Sequence, residues 1–160
     1  MNTRKRNRLK GFDYSSTGCY FVTICTNEKI NSFGQIFDGK MQLNKLGKIA
    51  YFNFECIPDH FGGIILDQFV VMPNHVHGII AIVVDEKRYA YMRPLLAEPE
   101  RNDVRENFNK SKILLSKIIQ QYKASVSREV NKSDLGLFRW QRSFYDRIIR
   151  NEKELNNIQE

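Results

Sequence analysis

The chain has 160 residues, of which 42% are hydrophobic and 27% are charged. These values are typical of one globular domain and exclude a disordered or membrane-spanning chain. No apolar run reaches the roughly 18 residues of a transmembrane helix, and no apolar segment follows the basic N-terminus as in a signal peptide, so we expect a cytoplasmic protein. The net charge of +7 favours a polyanionic partner without identifying one.

The chain begins with a basic arm, residues 1–12. Its cationic side chains are Arg4, Lys5, Arg6, Arg8 and Lys10. The alternation of apolar and polar residues over 19–26 then predicts a strand. Residues 33–43 predict a hairpin that turns at an Asp-Gly pair. Asn44 can cap a helix whose apolar spacing continues to Pro58.

Two apolar runs, residues 64–72 and 75–84, are separated by a Pro-Asn pair and predict an antiparallel hairpin. His75 and His77 open the second run. Side chains two residues apart on a strand project from the same face, which suits two imidazoles that share one cation. Ordinary hydrogen-bonded histidines are the alternative. A third ligand must come from elsewhere, and His60 is a candidate by composition alone.

The second half of the chain is predicted to contain a long connection, two helices and a last strand. Residues 85–110 lack periodicity and predict a long connection, and apolar residues recur at helical spacing over about 111–131. A last strand is expected within 138–149. Asn151 and Glu154 then match the reciprocal capping pattern of a C-terminal helix, residues 151–160, which carries no stop signal and is expected to be incomplete or short. We predict a single domain over residues 1–160.

Basic and aromatic residues are interleaved before the C-terminal helix. Such mixing suits single-stranded nucleic acid, because the cations meet phosphates and the rings stack on unpaired bases. A solvated surface with the aromatic rings in the core is the alternative. The arginines are Arg139, Arg142, Arg147 and Arg150, and the interleaved rings are Trp140, Phe144 and Tyr145.

Several of these segments resemble one family. FVVMPNHVHGII (residues 69–80) looks like the His-hydrophobic-His, or HUH, motif of the single-tyrosine HUH transposases, and most closely that of their REP-associated tyrosine transposase branch. GCYFVTICT resembles the first strand of the family, FGQIFDGKMQLNKLGKIA its next hairpin and helix, SKIIQQYKASVSREVN its long helix, and WQRSFYDRIIRNEKEL the entry to its final helix. The resemblance covers essentially the whole chain.

The resemblance implies an α+β domain, an antiparallel β-sheet of about five strands flanked by helices, of the ferredoxin/RRM-like HUH type. It implies a single-stranded DNA substrate that carries a hairpin, nucleoid association, and possible homodimers. In the family a tyrosine attacks a DNA phosphate and forms a 5′-phosphotyrosine link, with Mg²⁺ or Mn²⁺ present. His75 and His77 would be the metal ligands, and the basic arm, the four arginines and Lys123 would contact DNA.

The chain departs from the family at the nucleophile. Relatives carry the tyrosine on the final helix, directly after an element like RNEKELNNIQE, where this sequence ends, so we expect that tyrosine to be missing. Tyr145 is the substitute to consider, whereas Tyr122 belongs to the apolar stripe of its helix. Two alternatives to a transposase therefore stay open. They are a hairpin-binding protein that does not cleave DNA, and an unrelated metal-dependent hydrolase that uses the histidine pair.

Overall fold

A computed structural model describes residues 17–83 and 115–159 of the chain. The basic arm and the connection over 85–110 lie outside these residues. Within the described ranges the strands are β1 (Gly18–Cys25), β2 (Gly34–Phe37), β3 (Lys40–Leu43), β4 (Ile64–Met72), β5 (His75–Ile82) and β6 (Tyr145–Ile149), and the helices are α1 (Lys45–Glu55), α2 (Ile57–His60), α3 (Leu115–Lys132) and α4 (Glu152–Gln159). A 3-10 turn, Asn27–Lys29, follows β1. None of the helices in these ranges is long and apolar enough to cross a bilayer.

Four strands form the main sheet in the order β4-β5-β1-β6, and every neighbouring pair is antiparallel. The predicted hairpin is present but forms a separate two-stranded sheet, β2-β3, so the main sheet has four strands where about five were expected. Gly34, with a φ of +140°, turns the chain as β2 begins. The N–H of Phe33 bonds to the carbonyl of Pro73 at 2.9 Å, which fixes the hairpin beside the β4–β5 turn.

The alternation of residues along the strands gives the main sheet two faces. On β1, Tyr20 and Val22 have no exposed surface, whereas Phe21 and Thr23 between them are half-buried. We call the face of Tyr20 and Val22 the core face. Because cross-strand partners share a face, the pairing of Thr23 with His77 puts the histidines on the opposite face, the histidine face.

Helices α1 and α3 cover the core face. Phe54 of α1 and Tyr122 of α3 are buried there and meet edge to face, with ring centroids 5.2 Å apart. The Tyr122 hydroxyl donates to the carbonyl of Ala50 at 3.1 Å, and burial raises the pKa of Tyr122 above its usual range. The predicted packing role of Tyr122 is confirmed.

The helix ends show how local chemistry sets the element boundaries. Asn44 caps α1, since its Oδ1 accepts from the N–H of Gly47 at 2.8 Å. The helix stops at Glu55, and a separate short helix, Ile57–His60, begins with Pro58 in its first turn. Proline lacks an N–H and is tolerated in the first turn of a helix but not in its interior. A new short helix therefore begins at the place where the sequence predicted a single helix to end.

Close packing at Gly78 gives a stability prediction. A Cβ on Gly78, the residue after His77, would lie 2.5 Å from Cζ of Phe54 and 3.1 Å from Cβ of Phe69. We expect Gly78→Ala to lower the free energy of unfolding by about 1–3 kcal/mol, the usual cost of overpacking. Urea denaturation measures it. Gly18→Ala is the control, because there a Cβ would meet the end of the Tyr20 side chain at 3.3 Å, and an equal loss in both variants would contradict the packing argument.

Candidate functional site

His75 and His77 lie at the start of β5, directly after the Pro73-Asn74 turn. Both project from the histidine face, with ring centroids 4.4 Å apart and planes inclined by 72°. Both rings are half-buried. The predicted side-by-side placement of the two imidazoles is confirmed.

Each imidazole has its Nδ1 occupied by a neighbouring oxygen. Nδ1 of His75 lies 2.7 Å from Oδ1 of Asn74, and Nδ1 of His77 lies 2.8 Å from Oγ1 of Thr23 on β1. Metal-binding histidines commonly use one ring nitrogen for the metal and the other for such a hydrogen bond. The arrangement leaves the two Nε2 atoms for a ligand.

Surrounding groups favour the neutral form of both rings. Phe21 stacks on His77 with a centroid distance of 5.1 Å and an interplanar angle of 20°. Burial and then the neighbouring His75 lower the pKa of His77, while a backbone hydrogen bond at Val22 acts in the opposite direction. Burial and then Lys29 lower the pKa of His75. Neutral imidazole is the form that binds metal.

The lowered pKa values predict a pH dependence of stability. Below the ordinary imidazole pKa of about 6.5, the unfolded chain binds more protons than the folded one, so stability falls as the pH falls through this window. We expect urea midpoints, measured with EDTA, to decrease from about pH 7.5 to about pH 5.5 more steeply for the natural chain than for a His75→Asn/His77→Asn variant. Equal slopes would contradict the assigned pKa directions.

The donor set fits two ligands of a divalent cation. No group of three His, Cys, Asp or Glu side chains in residues 17–83 and 115–159 is arranged to hold a metal. His60 is exposed at the end of α2, next to the start of β4, whereas the histidine pair lies beside the end of β4, because Met72 pairs with His75. The structure therefore does not bring His60 to the pair, and the remaining ligands would be water, substrate oxygens or other residues.

Tyr145 lies in the same cross-strand row as His77. Thr23 pairs with His77 on one side and with Tyr145 on the other, so all three side chains share the histidine face. At the usual strand spacing of about 4.8 Å, the tyrosine and histidine backbones are about 10 Å apart. The Tyr145 residue is 47% exposed and is open to a ligand on this face.

The arginines lie along the edge of the sheet, on β6 and on the segments directly before and after it. Arg147, which pairs with Phe21, is on the histidine face and is 3.9 Å from Glu154 in an exposed ion pair. Arg139, Arg142 and Arg150 are exposed. Thr26 and Trp140 form an isolated antiparallel β-bridge, and the Trp140 ring packs against Tyr122 on the core face. Because neighbouring side chains of an extended chain point to opposite faces, Arg139 points toward the histidine face. The basic arm with Arg4, Lys5, Arg6, Arg8 and Lys10 lies outside the described residues.

Lys123 holds the segment that precedes β6. Its ammonium donates to the carbonyls of Gln141 and Ser143 at 2.8 and 3.0 Å and lies 6.0 Å from the Trp140 ring. Burial lowers the pKa of Lys123 to about 8, with a smaller opposite effect of Cys25. Trp140 in turn packs against Phe33 at 5.4 Å. Lys123 and Trp140 thus hold in place the segment that carries Arg139 and Arg142.

Helix α4 covers part of the histidine face. Asn151 caps it by accepting from the N–H of Glu154 at 2.9 Å, as the capping pattern predicted. Leu155 is buried against the sheet, and Ile158 lines a cleft of about 200 Å³ together with His77 and Val70. The last turn of α4 therefore lies beside His77.

Two residues that contact the imidazoles, and one that bonds to helix α4, had no predicted role. Thr23 and Asn74, which bond to the imidazoles, are ordinary strand and turn residues in the sequence. Asp67, buried at a bulge of β4, accepts a hydrogen bond from Gln159 of α4. The Pro-Asn pair signalled a turn, but no spacing rule connects Thr23 with His77, which is 54 residues away.

No family model matches the chain. The chain is 36% identical over all 160 residues to an uncharacterised protein of Haemophilus influenzae (strain Rd), of which it covers 86%. Its fold resembles a REP-associated tyrosine transposase solved with a REP hairpin, with a TM-score of 0.51, 16% identity, and coverage of 99% of this chain and 68% of the other. A proposed transposase of Deinococcus radiodurans R1 gives a TM-score of 0.45, 14% identity, and coverage of 95% and 94%. The predicted α+β fold is confirmed by the first of these structures.

Proposed function

The chain belongs to the same family as the Haemophilus influenzae protein, and we propose that it binds single-stranded DNA that carries a hairpin and cleaves and rejoins its backbone. The observation that carries the proposal is the pair of imidazoles on one sheet face, each with Nδ1 engaged and Nε2 left for a shared cation. The shared fold supports it, since the structural neighbour was solved with a REP hairpin.

His75 and His77 would hold Mg²⁺ or Mn²⁺, and the cation would polarise the oxygens of the scissile phosphate. Side chains of the protein would orient the DNA strand. Arg147 and Arg139 meet phosphates along the sheet edge, and the exposed ring of Tyr145 offers a surface on which an unpaired base can stack. The half-buried setting of the rings excludes part of the surrounding water, which strengthens electrostatic contacts with the phosphate.

The nucleophile would be a tyrosine that forms a covalent 5′-phosphotyrosine link and leaves a 3′-hydroxyl. Tyr145 faces the histidine pair across Thr23 and is the candidate among the described residues. The resemblance assigns the nucleophile to the final helix instead, and Ile158 places the last turn of α4 beside His77. Tyr122 is excluded because its hydroxyl is buried and donates to Ala50.

A second candidate function is hairpin binding without cleavage. It is favoured by the separation of Tyr145 from His77, which lie two strands apart with Thr23 between them. The binding surface formed by the arginines and the ring of Tyr145 does not depend on a nucleophile. A possible homodimer is compatible with either function.

Incubation with an end-labelled hairpin strand and Mn²⁺, followed by denaturing electrophoresis, tests the proposal. We expect a metal-dependent protein–DNA adduct. Its loss in Tyr145→Phe would identify Tyr145 as the nucleophile, and its persistence would point to another tyrosine. Hairpin binding on a native gel without any adduct on the denaturing gel would support the second function, and absence of hairpin binding on the native gel would overturn both.

A further inference from the structure

We propose that Asn74 is a positioning residue that fixes the tautomer of His75, so that Nδ1 carries the proton and Nε2 presents its lone pair to the metal. The inference rests on the proposed metal-dependent function for its biological meaning. Its physical basis is a set of hydrogen bonds within the protein itself, which can be examined without metal or DNA.

The backbone of Asn74 is held in place by Thr26. The N–H of Thr26 donates to the Asn74 carbonyl at 2.9 Å, and the Thr26 hydroxyl lies 3.0 Å from the same oxygen and 2.8 Å from the carbonyl of Ile30. Thr26 is 1% exposed. The turn that carries Asn74 is therefore tied to the end of β1 and does not move independently of the sheet.

The Asn74 side chain has a defined orientation. Its Nδ2 donates to the carbonyl of Lys29 at 3.1 Å. A backbone carbonyl can only accept, so the amide nitrogen must face Lys29 and Oδ1 must face the His75 ring, 2.7 Å from Nδ1. The usual ambiguity between amide oxygen and nitrogen is removed here by the Lys29 carbonyl.

The orientation of the amide determines the proton position on His75. An amide oxygen has no proton to donate, so the hydrogen bond forms only when Nδ1 of His75 carries one. A neutral imidazole has one N–H, and Nε2 is then unprotonated and free to bind a cation. Such outer hydrogen bonds fix the ring orientation of metal-binding histidines and raise their basicity.

His77 provides an internal contrast. Its Nδ1 partner is the hydroxyl of Thr23, which can donate or accept. The ring also has a hydrogen bond with the backbone at Val22, so the Thr23 hydroxyl alone does not set the tautomer. Stacking on Phe21 fixes the plane of the His77 ring but not its proton. Removal of the Thr23 hydroxyl is therefore expected to alter the tautomer of His77 less than removal of the Asn74 amide alters that of His75.

The test is long-range ¹H–¹⁵N NMR of histidine-labelled full-length chain with EDTA, at a pH of about 8, above the ordinary imidazole pKa. We expect His75 to show a protonated Nδ1 and an unprotonated Nε2 in the natural chain. In Asn74→Ala the Nε2-protonated form should gain population, whereas Asn74→Asp, which keeps an acceptor, should retain the natural pattern. A natural chain with Nε2 protonated, or an Asn74→Ala spectrum unchanged at His75, would overturn the proposal.

Mn²⁺ titration of the same proteins separates this inference from the proposed function. We expect Asn74→Ala to bind Mn²⁺ about 10–100-fold more weakly, the usual cost of losing such a partner, and Asn74→Asp to restore binding. If the natural chain shows the expected tautomer but binds no Mn²⁺, the metal site fails and the positioning role of Asn74 stands. If Asn74→Ala does not fold, the natural spectrum and Asn74→Asp still decide the question.

Discussion

Replacing both His75 and His77 by alanine is expected to weaken Mn²⁺ binding by well over a hundredfold. Loss of an outer hydrogen-bonding partner alone costs about 10–100-fold, and this change removes both nitrogen ligands that the sheet presents. Cleavage of a hairpin strand should fall by about a thousandfold, the scale on which preorganised electrostatic groups act. Isothermal titration measures the first effect and single-turnover cleavage the second.

The matched control for this change is His60→Ala. His60 is exposed at the opposite end of β4 from the histidine pair, so its removal should leave Mn²⁺ affinity unchanged. Circular dichroism checks that both variants remain folded. Equal Mn²⁺ affinity in the natural chain and the His75→Ala/His77→Ala variant would show that the pair is not a metal site.

Neutralising three arginines of the sheet edge, Arg139, Arg142 and Arg147, to glutamine is expected to weaken binding of a single-stranded hairpin on the order of a hundredfold at about 0.1 M salt. Each phosphate contact to a single strand contributes about 0.7 to the slope of log affinity against log salt concentration. The slope should therefore become shallower by about 2. Fluorescence anisotropy across a salt series measures both quantities.

The control removes the same number of charges from α3. Lys117, Arg128 and Lys132 are exposed on this helix, which packs on the core face. Their change to glutamine lowers the net charge equally but should leave the salt slope nearly unchanged. An equal effect of the two triple variants would mean that DNA binding depends on the total charge of the protein and not on arginines at the histidine face.

The strands and helices could be predicted from the spacing of apolar residues in the sequence, because buried positions recur at regular intervals along each element. The apolar stripe of α3 and the alternation of β1 are sequence patterns that local geometry converts into faces. The pairing order of the strands was not predictable in this way. The contact of Thr23 with His77 and the row that adds Tyr145 depend on β1 lying between β5 and β6, which is a property of the whole sheet.

The candidate site was predictable in part. The spacing of His75 and His77 predicted that they lie on one face of a strand, and the family resemblance implied that the pair binds a metal ion. The role of Asn74 was hidden, because a Pro-Asn pair also marks an ordinary turn. Only the contact with Lys29 distinguishes an amide oriented toward His75 from one that is solvated.

The claim that the histidine face binds metal and DNA together is tested most directly by measuring hairpin affinity with and without Mn²⁺, and Mn²⁺ affinity with and without hairpin. A shared site predicts that each ligand tightens the other by the same factor, because linkage is reciprocal. This coupling should vanish in the His75→Ala/His77→Ala variant. Hairpin affinity that does not respond to Mn²⁺ in the natural chain would contradict the account.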